Sequence, residues 1–295
     1  MKIWISPDAL AGSTDELLRS GALYGLQRLL QLDHRIRFPV DNLSERQREL
    51  LHNEHISTDA FDRASADLLI QASGSVLEAA SEGAIIEQAG DWISLSHKIC
   101  FPTRKAARQR KTEETDISIS LNLDGTGQSD IATGLPFFDH MIEQIARHGL
   151  VDLDLRCNGD LEVDEHHTIE DVAIALGETI SEALGNKIGI QRYAFVLPMD
   201  ESLTTVALDL SGRPYLKFDA SFRREKVGDF PTEMVEHFFY SLAIHLKATL
   251  HLSVQGENDH HKIEACFKGL ARCLRASISR NERNAGILPS TKNLL

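Results

Sequence analysis

The sequence predicts an α+β protein whose main part is internally duplicated, preceded by a small α/β module. Three observations carry this. The run His166-His167-Thr168-Ile169-Glu170 recurs as His260-His261-Lys262-Ile263-Glu264. Upstream, DHMIEQIARHGLVDLDL from Asp139 lines up without a gap on EHFFYSLAIHLKATLHL from Glu236, so His140 matches His237 and His148 matches His245. Before residue 103, short apolar strand patterns alternate with helical ones.

Taken in order, Lys2 to Ser6 alternates and reads as a strand. Ser13-Thr14-Asp15-Glu16 has the form of a capping box, after which Leu17, Leu18, Leu23, Leu26, Leu29 and Leu30 follow a helical face. Strands are expected at Asp67 to Gln71 and Asp91 to Leu95, and a helix near Val76 to Gln88. Together these make a small α/β module over residues 1–103. TRKAARQRK, from Thr103, carries five basic residues and no strong apolar pattern, so residues 104–111 read as a solvated basic linker. The duplicated part then covers 112–295, in halves of about 112–197 and 198–295. Its first half reads as a strand (Asp116 to Leu123), a turn (Asp124 to Gly127), a helix (Phe137 to His148) ended by Gly149, a strand (Val151 to Arg156), a turn (Asn158 to Asp160) and a helix (His166 to Leu184). The second half repeats that order with a strand (Thr204 to Asp209), a helix (Thr232 to Lys247), a strand (Thr249 to Val254) and a helix (His260 to Ile278).

Composition narrows the function. A net charge of -13 over 295 residues argues against a general nucleic-acid or anionic-membrane binder. The four cysteines show no CxxC spacing, as for free thiols in a reducing compartment. The N-terminus is a poor signal peptide, and no apolar stretch is long enough to span a bilayer. A cytoplasmic location is expected.

Nine of the thirteen histidines lie between His140 and His261. On a helix, residues three or four apart share a face, so one or both histidines of each HHxxE run can meet its glutamate. Imidazole and carboxylate together are ligands for divalent metals. Each half offers an acidic-His pair and an HHxxE run, and a surface or core role for these histidines leaves the duplication unexplained. Arg192 and Arg213, each close to a glycine, and Ser290 and Lys292 near the C-terminus are the residue types that hold phosphate or carboxylate. A di-iron carboxylate oxidase fits poorly, because histidine outnumbers glutamate and strands intervene. A zinc hydrolase fits poorly too, because HExxH is absent.

The motifs LNLDGTG, TGLPFFDHM, DEHHTIED, GIQRY, PMDE, DLSGRP, VEHFF, NDHHKIEACFK and PSTK, in this order after Thr112-Glu113-Glu114-Thr115, resemble imidazoleglycerol-phosphate dehydratases from about Arg110 to Leu295. The resemblance implies a four-stranded sheet packed on helices in each half, the ribosomal S5 domain 2-like fold. It implies two Mn2+ ions per active site, held by His140, His166, His167, Glu170, His237, His260, His261 and Glu264. It places Glu114 as acid/base, with Glu170 and Glu264 in the catalytic set. Gln144 and Lys268 fall near the substrate, and Arg192, Arg213, Ser290 and Lys292 at its phosphate. It implies a homo-24-mer built from trimers, with sites completed by neighbouring subunits. Asn293 departs from the family, which has glycine there.

The implied reaction is the dehydration of D-erythro-imidazole glycerol phosphate to imidazole-acetol phosphate and water, a hydro-lyase step of histidine biosynthesis. The substrate C–H beside a hydroxyl is hardly acidic, which explains the residue types. Metals acting as Lewis acids on the ring nitrogens favour the imidazolate, whose electrons expel the hydroxyl and give a diazafulvene-like species. Glu114 can then remove the neighbouring proton. Two alternatives stand beside this. One is a non-catalytic oligomer stapled by metals. The other is a bifunctional protein with an N-terminal histidinol-phosphate phosphatase of the haloacid-dehalogenase type. That phosphatase needs Asp-x-Asp-Gly-Thr after its first strand, where this chain has Ser6-Pro7-Asp8-Ala9-Leu10. A module without phosphatase activity is expected.

Overall fold

In the computed structural model, residues 1–11, 17–292 and 294–295 are described. The expected capping box at Ser13–Glu16 and the departure at Asn293 lie outside them. The chain forms two compact units, Met1–Pro102 and Thr103–Leu295.

Unit 1 comprises β1 (Lys2–Ile5), α1 (Pro7–Leu10), α2 (Ala22–Gln31), β2 (Arg35–Arg37), α3 (Glu45–Asn53), β3 (Leu68–Ser73), β4 (Val76–Ser81), β5 (Ala84–Ala89) and α4 (Trp92–Cys100). Its sheet runs β2-β1-β3-β4-β5. β1 is parallel to β2 and β3, and the remaining pairs are antiparallel. Three segments depart from the sequence expectation. Val76 to Gln88 is a hairpin, because Glu82 and Gly83 both take positive φ, at 50° and 84°, as a two-residue turn between twisted strands requires. Asp91 to Leu95 opens a helix. The Asp91 side chain accepts from the Ser94 N–H, and Trp92, Leu95 and Ile99 then line one buried face. Helix α2 starts at Ala22, so Leu17 and Leu18 precede it.

Unit 2 holds the duplication. Its first half contains β6 (Lys105–Lys111), β7 (Thr115–Asn122), β8 (Ser129–Ala132), α5 (Pro136–Gly149), β9 (Asp152–Gly159) and α6 (His166–Leu184). Its second contains β10 (Tyr193–Met199), β11 (Ser202–Asp209), β12 (Tyr215–Asp219), β13 (Lys226–Val227), β14 (Phe230–Pro231), α7 (Glu233–His245), β15 (Thr249–Gln255) and α8 (Asp259–Ile278). The sheets run β6-β7-β9-β8 and β10-β11-β15-β12. In each, two antiparallel pairs are followed by one parallel pair. The first and second halves therefore share one topology.

The basic stretch is not a linker. β6 pairs with β7 from Lys105↔Asn122 to Lys111↔Asp116. Its arginines alternate with outward residues: Arg108 reaches Glu178 and Glu182, at 3.4 and 2.8 Å, and Arg110 reaches Asp171 at 2.6 Å, all on α6. A long side chain can lay its apolar stem along a helix while its charge finds a carboxylate, so a run that looks solvated forms an edge strand. Gly149 stays helical, and Leu150 takes the left-handed turn with φ 52°. Asn158 and Gly159 belong to β9, and Gly159 is required because a Cβ there would come within 2.0 Å of Thr168 Oγ1. Helix α5 packs on α8 and α6 on α7, over one continuous apolar core. Each helix thus meets one from the opposite half.

Candidate metal centres

Both HHxxE runs sit in the first turn of a helix, and an Asx side chain starts each turn. Asp164 accepts from the His166 N–H at 2.8 Å, and Asn258 from the His260 N–H at 2.9 Å. The i,i+4 spacing then brings the first histidine, not the second, to the glutamate. His166 Nε2 lies 3.2 Å from Glu170, and His260 Nε2 3.4 Å from Glu264.

The third donor crosses between halves. His237 Nε2 on α7 lies 3.2 Å from Glu170, and His140 Nε2 on α5 lies 3.8 Å from Glu264. In each of the groups His166/Glu170/His237 and His140/His260/Glu264, one atom per residue lies within 4.8 Å of the others. His237 Nε2 is buried and has no hydrogen-bond partner. A buried nitrogen lone pair facing a carboxylate and a second imidazole is costly unless a cation is shared among them. The donor set of nitrogen and oxygen fits a divalent transition metal.

The second histidine of each run turns elsewhere. His167 Nδ1 meets Asp160 at 3.0 Å, and His261 Nδ1 meets Glu201 at 2.9 Å. The hydrogen bond to Asp160 raises the His167 pKa above its ordinary value. The one between His261 and Glu201 raises His261 and holds the Glu201 carboxyl down at about 2. A third potential group, Asp200, Glu201 and His261, follows from this contact.

The remaining sequence-selected residues fall in three places. Exposed Glu114 lies 3.6 Å from His167 Nε2. Gln144 lies beside His140, its Nε2 donating to the His140 carbonyl at 3.0 Å. Lys268 donates to Glu264 at 2.7 Å; burial raises the Glu264 carboxyl, but the Lys268 hydrogen bond and charge outweigh it and hold it below its ordinary value. Arg192 and Arg213 converge on Asp209. The buried Arg192 fork donates to both Asp209 oxygens at 2.6 and 3.0 Å and to the Pro289 carbonyl at 2.8 Å. Exposed Arg213 approaches Asp209 at 3.9 Å, and Ser290 Oγ accepts from the Lys292 N–H at 3.3 Å.

Sequence reading missed Asp160, Glu201 and Asp209 as functional positions. Each stood inside a turn or motif already noted, and only the fold shows that a carboxylate there reaches a histidine or an arginine.

A profile of the imidazoleglycerol-phosphate dehydratase family matches residues 133–274. The histidine biosynthesis bifunctional protein HisB of Spirosoma linguale is 51% identical over 221 residues, covering 75% of this chain and 58% of that protein. The protein of the same name from Stenotrophomonas maltophilia is 54% identical over 205 residues, covering 70% of this chain and 57% of that one. The chain therefore spans under two thirds of the length of these curated relatives. Among solved structures, the imidazoleglycerol-phosphate dehydratase of Staphylococcus aureus aligns at 37% identity with a TM-score of 0.55, covering 60% of this chain and 99% of that one. The Pyrococcus furiosus structure in complex with (S)-C348 aligns at 33% and 0.54, covering 64% and 100%.

Proposed function

The chain belongs to the imidazoleglycerol-phosphate dehydratase family, and from that premise we propose that unit 2 dehydrates imidazole glycerol phosphate to imidazole-acetol phosphate in histidine biosynthesis. The observation that carries this reading is the pair of equivalent His/His/Glu groups, each built from both halves. His166, Glu170 and His237 would hold one Mn2+, and His140, His260 and Glu264 the other. When bound, these ions supply Lewis-acid polarisation of the substrate's imidazole nitrogens.

The chain's own residues do the rest. Glu114 accepts the proton from the chain carbon next to the one that loses its hydroxyl, and the hydroxyl leaves as water. The enol so formed becomes the ketone. Arg213, with Arg192, Ser290 and Lys292, would hold the phosphate. Gln144 and Lys268 border the ring-binding side.

One chain does not complete the site. The Arg192 N–H bonds the Ser277 carbonyl near the C-terminal end of α8, whereas Glu264 stands near its start. At 1.5 Å per residue these ends are roughly 20 Å apart. A three-carbon substrate chain spans only about 5 Å. We therefore infer that ring and phosphate are bound by different copies of the chain. His167 and His261 fit this scheme: each is fixed at Nδ1, so its Nε2 would be available to help hold an ion of a neighbouring copy. We assign a large homo-oligomer built from trimers.

For unit 1 we propose no phosphatase activity. The position after β1 that would carry the nucleophile is Ser6, and Asp8 accepts from the Ala72 N–H. Phosphate release from histidinol phosphate by the intact chain would overturn this. Among the described residues no helix is long and apolar enough to cross a membrane, and the four free thiols fit the cytoplasm.

The test is a dehydration assay on imidazole glycerol phosphate with Mn2+ content measured in parallel. Turnover should rise with bound Mn2+ and vanish with a chelator. Metal-replete protein without turnover would favour the alternative in which the ions only join subunits.

A further inference from the structure

Glu114 and Glu201 occupy one position of the duplicated architecture. β7 and β11 hold the same rank in their sheets. Asn122 pairs with Asp152, and Asp209 with Thr249; the ungapped repeat matches Asp152 to Thr249, so Asn122 corresponds to Asp209. Counting back along either strand, with the same burial alternation, reaches the residue just before it: Glu114 before Thr115, and Glu201 before Ser202. Each carboxylate then meets the second histidine of its own half.

The two meetings differ. Asp160 takes His167 Nδ1, so Glu114 only approaches Nε2, at 3.6 Å, and its side chain is 50% exposed. In the second half, the counterpart of Asp160 is the exposed Glu257, and Glu201 itself takes His261 Nδ1 at 2.9 Å. Its other oxygen accepts from the Asn258 N–H at 3.0 Å and the Ser202 hydroxyl at 3.3 Å. Both Glu201 oxygens are thus engaged.

We infer that Glu201 is a positioning residue for His261 and that, of this equivalent pair, only Glu114 is free for proton transfer. This rests on the reading of His261 as a metal donor. A neutral imidazole that donates Nδ1–H to Glu201 keeps its Nε2 lone pair for a cation. The bond to Asn258 ties the same carboxylate to the turn that opens α8, so one side chain sets both the tautomer and the place of the ring. In the first half Asp160 performs this task, which releases Glu114 from it.

The experiment measures Mn2+ affinity of the full chain by titration calorimetry, together with turnover against Mn2+ concentration and pH. Glu201→Ala should weaken Mn2+ binding about 10–100-fold, with turnover restored as Mn2+ is raised and the pH profile keeping both limbs. Glu201→Asp should recover most of the affinity. Adding Glu201→Ala to His261→Ala should cost nothing more, since the two act as one. Should Glu201→Ala fail to fold, judged by circular dichroism, Glu201→Gln carries the same tests with a smaller loss. Wild-type Mn2+ affinity in Glu201→Ala, with or without loss of turnover, would overturn the inference, as would additive losses in the double variant. A wild-type chain that binds no Mn2+ would instead overturn the metal reading beneath it.

Discussion

His237 and Glu170 stand 3.2 Å apart on helices from different halves of unit 2, so neither half of this chain can assemble a His/His/Glu group alone. His237→Ala should leave the His140/His260/Glu264 group intact. Metal analysis of the purified variant should show about one Mn2+ lost per chain of the two expected, and a variant retaining both would show that His237 is not a donor.

Glu114 belongs to neither His/His/Glu group of its own chain, so Glu114→Gln should keep its full Mn2+ complement. Turnover should drop about 10²–10⁴-fold, the usual weight of a general acid or base. Retained turnover at full metal content would remove Glu114 from the mechanism.

The distance along α8 makes a second kind of prediction. If the proposed site holds, Arg213→Ala removes a phosphate contact and His140→Ala a metal donor, so each alone should be nearly inactive. Dissociated and reassembled together, the two should regain activity at roughly a quarter of sites, the statistical share when two chains build one site. A mixture as inactive as its components would place the whole site within one chain.

Asp171, next to Glu170, anchors the turn that carries Glu114. It accepts from Thr115 at 2.5 Å and pairs with Arg110 at 2.6 Å, while Thr112 Oγ1 accepts from the Glu114 N–H at 3.1 Å. Asp171→Ala removes the carboxylate acceptor of the buried Thr115 hydroxyl, which keeps only its 3.2 Å contact with Thr112 Oγ1, together with the ion-pair partner of Arg110, and should cost about 1–3 kcal/mol. Urea unfolding of the metal-free chain would measure this; an unchanged midpoint would contradict it.

The Arg104 fork binds both Asp124 oxygens at 2.6 and 3.1 Å, and Arg280 adds a contact at 3.1 Å. Burial pushes the Asp124 carboxyl up, but these partners outweigh it and hold it below its ordinary 3.8. A carboxyl depressed in the folded state contributes stability that is complete above its unfolded value and lost as pH falls through the folded one. Acidification below about 4 should therefore weaken the wild type more than Asp124→Asn. Equal losses in both, by urea midpoint at pH 7 and pH 3, would refute the assignment.

The donor helices were legible in the sequence because an i,i+4 histidine–glutamate pair and an apolar face leave the same imprint twice. His166 to Leu184 is the helix that periodicity predicts. What could not be read depends on partners distant along the chain. β6 looks like a charged connector until the carboxylates of α6 are beside it. β8 is a four-residue edge strand with little apolar pattern. The hairpin of β4 and β5 has enough alanine and glutamate to mimic a helix, and only its left-handed turn decides. That His167 and His261 point away from their own glutamates could not be read either, since HHxxE permits both arrangements.

Either half of unit 2 already possesses every kind of donor a cage requires: an imidazole from its earlier helix, and an imidazole with a carboxylate from its later one. Two identical copies of one such half, related by a twofold axis, would close both cages at once. The duplicated chain fuses that pairing into a single polypeptide, and so lets its two cages drift apart chemically: Lys268 attends one glutamate, while Ile174 stands at the corresponding place beside the other.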